Sequence, residues 1–250
     1  MRHKPLDILV IAPHPDDAEL FCGGLLAKLG AAGYRCGVLD LTRGERASRG
    51  EPWIREQEAD AAALVLGLAW RGNLALPDAG LDSRNASQVL ALVEQLRDVR
   101  PGLVLAPWRH ERHPDHEAAS QLAKRAVFLC GLRNWPLPDQ PAHTVTQLLY
   151  YPMRTQQSPS FVVDIAAFAA IKARAIACHA SQVAADAAAP KTLVSSDASA
   201  LSLQHRDGWF GAFVGSAAGE PYLVDGPLPV ADPVALFRAR SNPPQFFEEP

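Results

Sequence analysis

Apolar residues follow two patterns along this chain, and the two patterns take turns. Short runs rich in branched apolar side chains, Leu6–Ala12 and Leu103–Pro107, read as buried strands. Tyr34–Thr42 and Leu68–Leu74 are further strands. Between them lie Glu19–Leu29, Pro52–Leu66, Asn85–Arg100 and Glu117–Cys130, where apolar positions recur at helical spacing. The punctuation agrees. Gly30 and Gly33 close the first helix, Pro52 opens the second and Gly67 closes it, and Asn85 caps the third before the Pro101-Gly102 stop. This alternation predicts a three-layer, Rossmann-like α/β fold, with a mostly parallel sheet and helices on both faces. No internal repeat or linker divides residues 1–250, so one domain is expected. The later pattern is weaker. Val145–Tyr151 and Ser160–Ile165 read as strands, and Ala166–Ala189 as an Ala-rich helix. Lys191–Asp207 reads as a loop entering a helix, and the Pro-rich tail from Asn242 as a fraying end.

Charge narrows the partners. Against 24 basic residues stand 27 acidic ones, a net charge of −3 over 250 residues. No global basic field exists to hold nucleic acid or an anionic membrane, so neither is expected as a partner. The longest stretch free of Asp, Glu, Lys and Arg, Gln140–Met153, contains Pro141 and Pro152 and is too short to span a bilayer. Asp7 and the Pro13–Asp17 string interrupt any secretory signal, which makes the cytoplasm the expected address. Cys22, Cys36, Cys130 and Cys178 sit in apolar or Ala-rich surroundings without CxxC spacing and read as buried free thiols.

In an open parallel sheet, ligands bind beyond the carboxyl ends of the strands. Two such ends are heavily loaded here. Pro13-His14-Pro15-Asp16-Asp17-Ala18-Glu19 follows the first strand, and Trp108–Glu117, containing His110, His113, Asp115 and His116, follows the Leu103 strand. Hydrolytic zinc takes three protein ligands from imidazole and carboxylate and keeps a fourth position for water. His14, Asp17 and His116 supply two imidazoles and a carboxylate. Asp16, pointing differently from Asp17, is placed to accept the proton of the attacking water. The histidines at 110, 113 and 116 are spaced three apart, so a ligand set through His110 stays open. His116 is preferred for its place at a strand-to-helix entry. The same two imidazoles and carboxylate would also accept Fe2+, Co2+ or Mn2+.

The paired segments His14-Pro-Asp-Asp17, with Glu19, and His113-Pro-Asp-His116 resemble the PIG-L/LmbE family of zinc-dependent N-acetylglucosamine deacetylases. Asp40–Glu45, Arg55–Ala59, Asn73–Asp78, Ser181-Gln182 and Gly219–Tyr222 resemble its bacillithiol-synthesis branch, which acts on N-acetylglucosaminyl-malate. The resemblance implies a homo-oligomeric hydrolase acting on a small N-acetyl-D-glucosaminyl conjugate. It implies His14, Asp17 and His116 as zinc ligands and Asp16 as general base. His113 would be the imidazole at the oxyanion or leaving amine, Asp115 its carboxylate partner, and Arg55 a substrate contact. Arg43, Arg46, Arg49, Arg55, Arg109 and Arg112 crowd the same loops. That favours an anionic substrate, with Arg55 and Arg109 as the expected contacts. Ala218 replaces an aromatic residue common in relatives. Other glucosaminides (inositol conjugates, chitooligosaccharides, antibiotic precursors) remain alternatives, as does a metal-dependent sugar-binding module without turnover.

Overall fold

The computed structural model describes residues 4–137, 139–155, 157–184 and 190–234. Its first half alternates strictly. The order is β1 (Ile8–Ala12), α1 (Asp17–Ala31), β2 (Cys36–Thr42), α2 (Pro52–Leu66), β3 (Trp70–Leu76), α3 (Ala86–Val99), β4 (Leu103–Pro107) and α4 (Pro114–Cys130). β5 (Gln147–Tyr151) and β6 (Phe161–Asp164) follow. A 3-10 turn (Ala166–Phe168) then leads into α5 (Ala169–Cys178), α6 (Ala180–Val183), α7 (Asp197–Ala212) and β7 (Gly219–Val224). The sheet runs β3-β2-β1-β4-β5-β7-β6. β3 to β5 are mutually parallel across that order, and β7 is antiparallel to both its neighbours.

Strand alternation divides the core. Leu9 and Ile11 of β1 face a cluster under α3 and α4 that holds Leu92, Leu96 and Leu122. Ile8, Val10 and Ala12 face the opposite cluster, with Phe21 and Leu26 of α1 and Ala175 of α5. Both faces of β1 and β2 are buried, which is why β1 reads as a continuous apolar run rather than an alternating one. Among the described residues no helix is long and apolar enough to cross a membrane. Cys22, Cys36 and Cys130 are buried free thiols and Cys178 is half-buried.

The chain reverses its direction of winding between β1 and β4. β1 pairs with β2 on one side and with β4 on the other, in register Ile8↔Leu103 and Val10↔Leu105. This is a topological switch point, and the loops leaving β1 and β4 open into the same crevice.

Three features depart from the sequence expectation. The Ala-rich segment is not one helix: it breaks at His179, whose backbone (φ −81°, ψ 51°) ends α5. High helix propensity loses there to a tertiary constraint, since the His179 side chain is fully enclosed. Residues 185–189 of that expected helix lie outside the described residues, as does the tail from Asn242. β7 was not legible as a strand, because Pro221 cannot donate to a ladder and Glu220 is charged. Yet Glu220 is fully buried, where it accepts backbone N–H groups of Gly24 and Leu25 and pairs with Lys172.

Gly24 lies where α1 meets the chain after β6. A Cβ there would stand 2.6–2.8 Å from Ile165 side-chain atoms. In an exposed helix Gly→Ala stabilises by about 1 kcal/mol; here Gly24→Ala should instead destabilise by about 1–3 kcal/mol through overpacking. Urea unfolding of the variant checks the sign.

Candidate metal-centred active site

The loop after β1 is fixed by its own backbone. Asp16 has φ 135°, a region that favours glycine, and its carbonyl accepts the Leu20 N–H as α1 begins. Such a conformation costs about 1–3 kcal/mol in a non-glycine residue. It makes the neighbouring carboxylates diverge. Asp17 turns toward His14 and His116, whereas Asp16 turns toward Arg55, whose Nη2 lies 3.5 Å from Asp16 Oδ1.

His14, Asp17 and His116 come together. His14 Nδ1 lies 3.2 Å from Asp17 Oδ2, and His116 Nε2 lies 3.5 Å from the same oxygen. A tetrahedral ion with bonds of about 2.0–2.1 Å holds its ligand atoms about 3.3–3.4 Å apart; the two separations to Asp17 match that spacing, and all three donor atoms lie within 4.8 Å of one another. Their protonation suits the task. Burial raises the Asp17 carboxyl, but His116 and then His14 outweigh it and bring its pKa to about 2. Burial, then the neighbouring His14 and His113, push His116 down to about 4, which leaves it a neutral imidazole. His110 stacks edge-on against Trp108 instead and is not part of the ligand cluster.

The far side of the His14 ring meets two carboxylates. Nε2 lies 3.2 Å from Asp78 Oδ1 and 3.4 Å from Asp115 Oδ2. Asp78 follows β3, and the sequence reading assigned it no role. Its signs in the sequence were its place just after Pro77 at a third strand end and at the close of the Asn73–Asp78 segment that shares in the resemblance. Burial opposes its charge, but His14 and the Arg46 N–H more than compensate, so it stays well below the usual carboxylate range. A carboxylate behind a ligating imidazole fixes the tautomer and aims the ring.

Asp115 accepts the N–H groups of Ala79 and Leu81 and meets His14 at 3.4 Å, and its carboxylate lies within 4.8 Å of a His113 ring nitrogen as well. His113 is the N-cap of α4, where its Nδ1 accepts the backbone N–H of Asp115 at 3.2 Å. With Nδ1 accepting that N–H, His113 presents its Nε2 as the ring's remaining donor position.

The site lies in a cavity of about 310 Å³ lined by these residues together with Arg46, Arg55, Glu111, Arg112, Arg154 and Gln182. The two expected substrate contacts are placed differently. Arg109 does not reach the cavity: it lies over the Trp108 ring and pairs with Asp225 at 3.0 Å. Arg55 borders the cavity but is buried, donating to the carbonyls of Pro15 (2.6 Å) and Gly44 (3.2 Å). Gly44 is required there, because its φ is 64° and any Cβ would collide with the guanidinium. At the rim, Arg46, Arg112 and Arg154 are exposed, and among the described residues their guanidinium groups have no hydrogen-bonding or ion-pairing partner. The sequence reading did not single out Arg154. Its backbone N–H and that of Met153 donate to the buried carboxylate of Glu111, which pins the loop that carries it.

The geometry invites comparison with known proteins. Residues 9–127 match the family described as GlcNAc-PI de-N-acetylase, PIG-L. The diacetylchitobiose deacetylase of Thermococcus kodakarensis is 31% identical over 194 residues, covering 72% of this chain and 71% of that one. The chain belongs to the PIG-L family. A conserved protein of Thermus thermophilus superposes with a TM-score of 0.81 at 43% identity, over 91% of this chain and 97% of that one. The probable N-acetyl-alpha-D-glucosaminyl L-malate deacetylase 2 of Bacillus cereus is 30% identical over 132 residues. That match spans 48% of this chain and 60% of the relative. PIG-L proteins are metal-dependent deacetylases, and this chain is an enzyme of that hydrolytic class.

If Asp78 orients His14, Asp78→Asn should weaken divalent-metal affinity about 10- to 100-fold without unfolding the protein. Competition against a chelating dye measures this, and unchanged affinity would leave Asp78 no part in the centre.

Proposed function

We propose that this protein hydrolyses the acetamide of an N-acetyl-D-glucosaminyl conjugate with an anionic aglycone, N-acetylglucosaminyl-malate being the first candidate. The observation that carries this reading is the pairing, within one cavity, of a His–Asp–His donor triad and rim guanidinium groups that have no hydrogen-bonding or ion-pairing partner among the described residues. Zinc is the first candidate metal, and iron, cobalt or manganese would fit the same donors. A divalent cation held by His14, Asp17 and His116 would polarise the acetyl carbonyl and acidify the attacking water.

The remaining work falls to the chain. Burial, opposed by Arg55, raises the Asp16 carboxyl to about 6, so it is ionised at neutral pH yet basic enough to take a proton from the attacking water. Arg55, locked by two carbonyls, holds that carboxylate in place and leaves substrate recognition to the rim. The His113 Nε2–H donates to the oxyanion that develops at the acetyl carbon. Asp16 then returns its proton to the departing glucosamine nitrogen as the C–N bond breaks, giving the amine and acetic acid. The water oxygen thus ends on the acetyl group, one of its protons on the amine, and the other is lost from the new carboxyl to the amine or to solvent, so that acetate leaves.

Arg112 and Arg154 supply charge where an aglycone carboxylate would lie, and a charge-assisted hydrogen bond contributes roughly 1.5–3 kcal/mol. The Bacillus cereus relative is named for such a conjugate. A second reading has its own support. The Thermococcus kodakarensis relative, matched over more of the chain, is named for diacetylchitobiose, which carries no charge.

Asp16→Asn should keep bound metal and lose about two to four orders of magnitude in kcat. Loss of metal in that variant would exchange the roles of the two aspartates. Changing Arg112 or Arg154 to Ala should lower kcat/KM for N-acetylglucosaminyl-malate about 10- to 100-fold, at tenfold per 1.4 kcal/mol. Turnover of diacetylchitobiose should change little. Equal losses on both substrates, or faster turnover of diacetylchitobiose by the unaltered enzyme, would favour the uncharged substrate.

A further inference from the structure

Glu111 is a buried carboxylate that the chemistry above does not use. It stands in the loop after β4, between His110 and Arg112, and borders the cavity. Its hydrogen-bond donors all come from the segment that follows β5. Oε1 accepts the Met153 N–H at 2.8 Å and the Thr155 hydroxyl at 3.1 Å, and Oε2 accepts the Arg154 N–H at 3.3 Å. The Thr155 hydroxyl also lies 2.9 Å from the His110 carbonyl, so its one proton is shared between two acceptors of the same loop. At the start of the segment Arg206, lying over the Phe21 ring, donates to the Pro152 carbonyl.

A carboxylate is a costly way to join two loops. Burial pushes its pKa up, and the Met153 and Arg154 N–H groups, then the Thr155 hydroxyl, oppose that more than the nearby Arg206 does. An apolar side chain would avoid the charge but leave the buried Met153 N–H without its acceptor. A glutamine would keep one acceptor oxygen and turn an amide N–H toward a backbone N–H. Two acceptor oxygens on one planar group answer both N–H groups at once. What they join is informative. Each loop carries an exposed guanidinium at the cavity rim, Arg112 next to Glu111 in the chain and Arg154 through its own N–H.

We propose that Glu111 is a positioning residue for anion recognition, holding Arg154 at a fixed place relative to Arg112 so that both guanidinium groups meet one anionic aglycone. The inference rests on the anionic substrate proposed above and deepens it, because it makes the two arginines a unit rather than two independent charges. Glu111 itself touches no substrate and moves no proton.

The test is a double-mutant cycle in the metal-loaded enzyme. Glu111→Gln is made in the native background and in Arg154→Ala, with metal content, melting temperature, kcat and KM measured for all. On N-acetylglucosaminyl-malate, Glu111→Gln should keep its metal, leave kcat within about twofold and raise KM about 5- to 20-fold. On diacetylchitobiose its KM should move less than about twofold. In the Arg154→Ala background the further rise in KM should be under about twofold, because the group being positioned is already gone. Should Glu111→Gln fail to fold, Thr155→Val removes one donor and no charge, and should give a rise of about two- to fivefold that likewise vanishes in Arg154→Ala. The same factor in both backgrounds, equal losses on both substrates, a loss in kcat rather than KM, or an unchanged KM would each overturn the inference. An Arg154→Ala enzyme that handles the malate conjugate normally would remove the anionic reading and this inference together. A damaging Arg154→Ala without coupling to Glu111 would defeat the Glu111 role and leave the anionic reading standing.

Discussion

Everything at the site depends on one backbone interaction, the parallel pairing of β1 with β4. Neither following loop can build the centre alone. The first supplies His14 and Asp17, the second His116, and the pair register Val10↔Leu105 brings both loops to the same edge of the sheet. Because β1 is buried on both faces, a slip of that register would move its apolar residues to the wrong layers as well as misalign the donors. The hydrophobic core and the chemistry are therefore specified by the same strand, and neither can drift without the other.

A second constraint acts on α1, which carries Asp17 and Glu19. Two buried ionic clusters bear on it. At its start, Glu19 meets Arg71, which also grips Asp40 of β2. Further along, Glu220 accepts the N–H groups of Gly24 and Leu25 while pairing with Lys172, which also meets Asp207. Burying so many charges is at best neutral for stability, since desolvation cancels much of the attraction. What such clusters give is uniqueness of placement: a helix pinned at two points along its length cannot slide or rotate. Donor atoms separated by a little over 3 Å require that.

The ligand donors were legible in the sequence because they lie in two short segments, each beginning at the end of an apolar strand and each carrying His-Pro-Asp. Local order was enough to place them. Asp78 and Arg154 were not legible as site residues for the opposite reason. Each comes from a segment of ordinary composition, and its meaning depends on which strand end or helix terminus the fold brings beside it. Asp115 shows the limit most clearly. Its identity and neighbourhood were anticipated, but not its contact with His14, nor the backbone N–H at the helix N-terminus that claims His113 Nδ1. Propensity likewise called for a continuous helix through His179, and a burial that only tertiary structure supplies broke it.

The rim arginines have a consequence for how a ligand arrives. The molecule as a whole is slightly anionic, so at long range it weakly repels polyanions such as nucleic acid. Within the screening distance of about 8 Å at physiological ionic strength, the rim presents the opposite sign. For the anionic substrate proposed above, attraction would act only over the last approach, and salt, which shortens the screening distance, would weaken it.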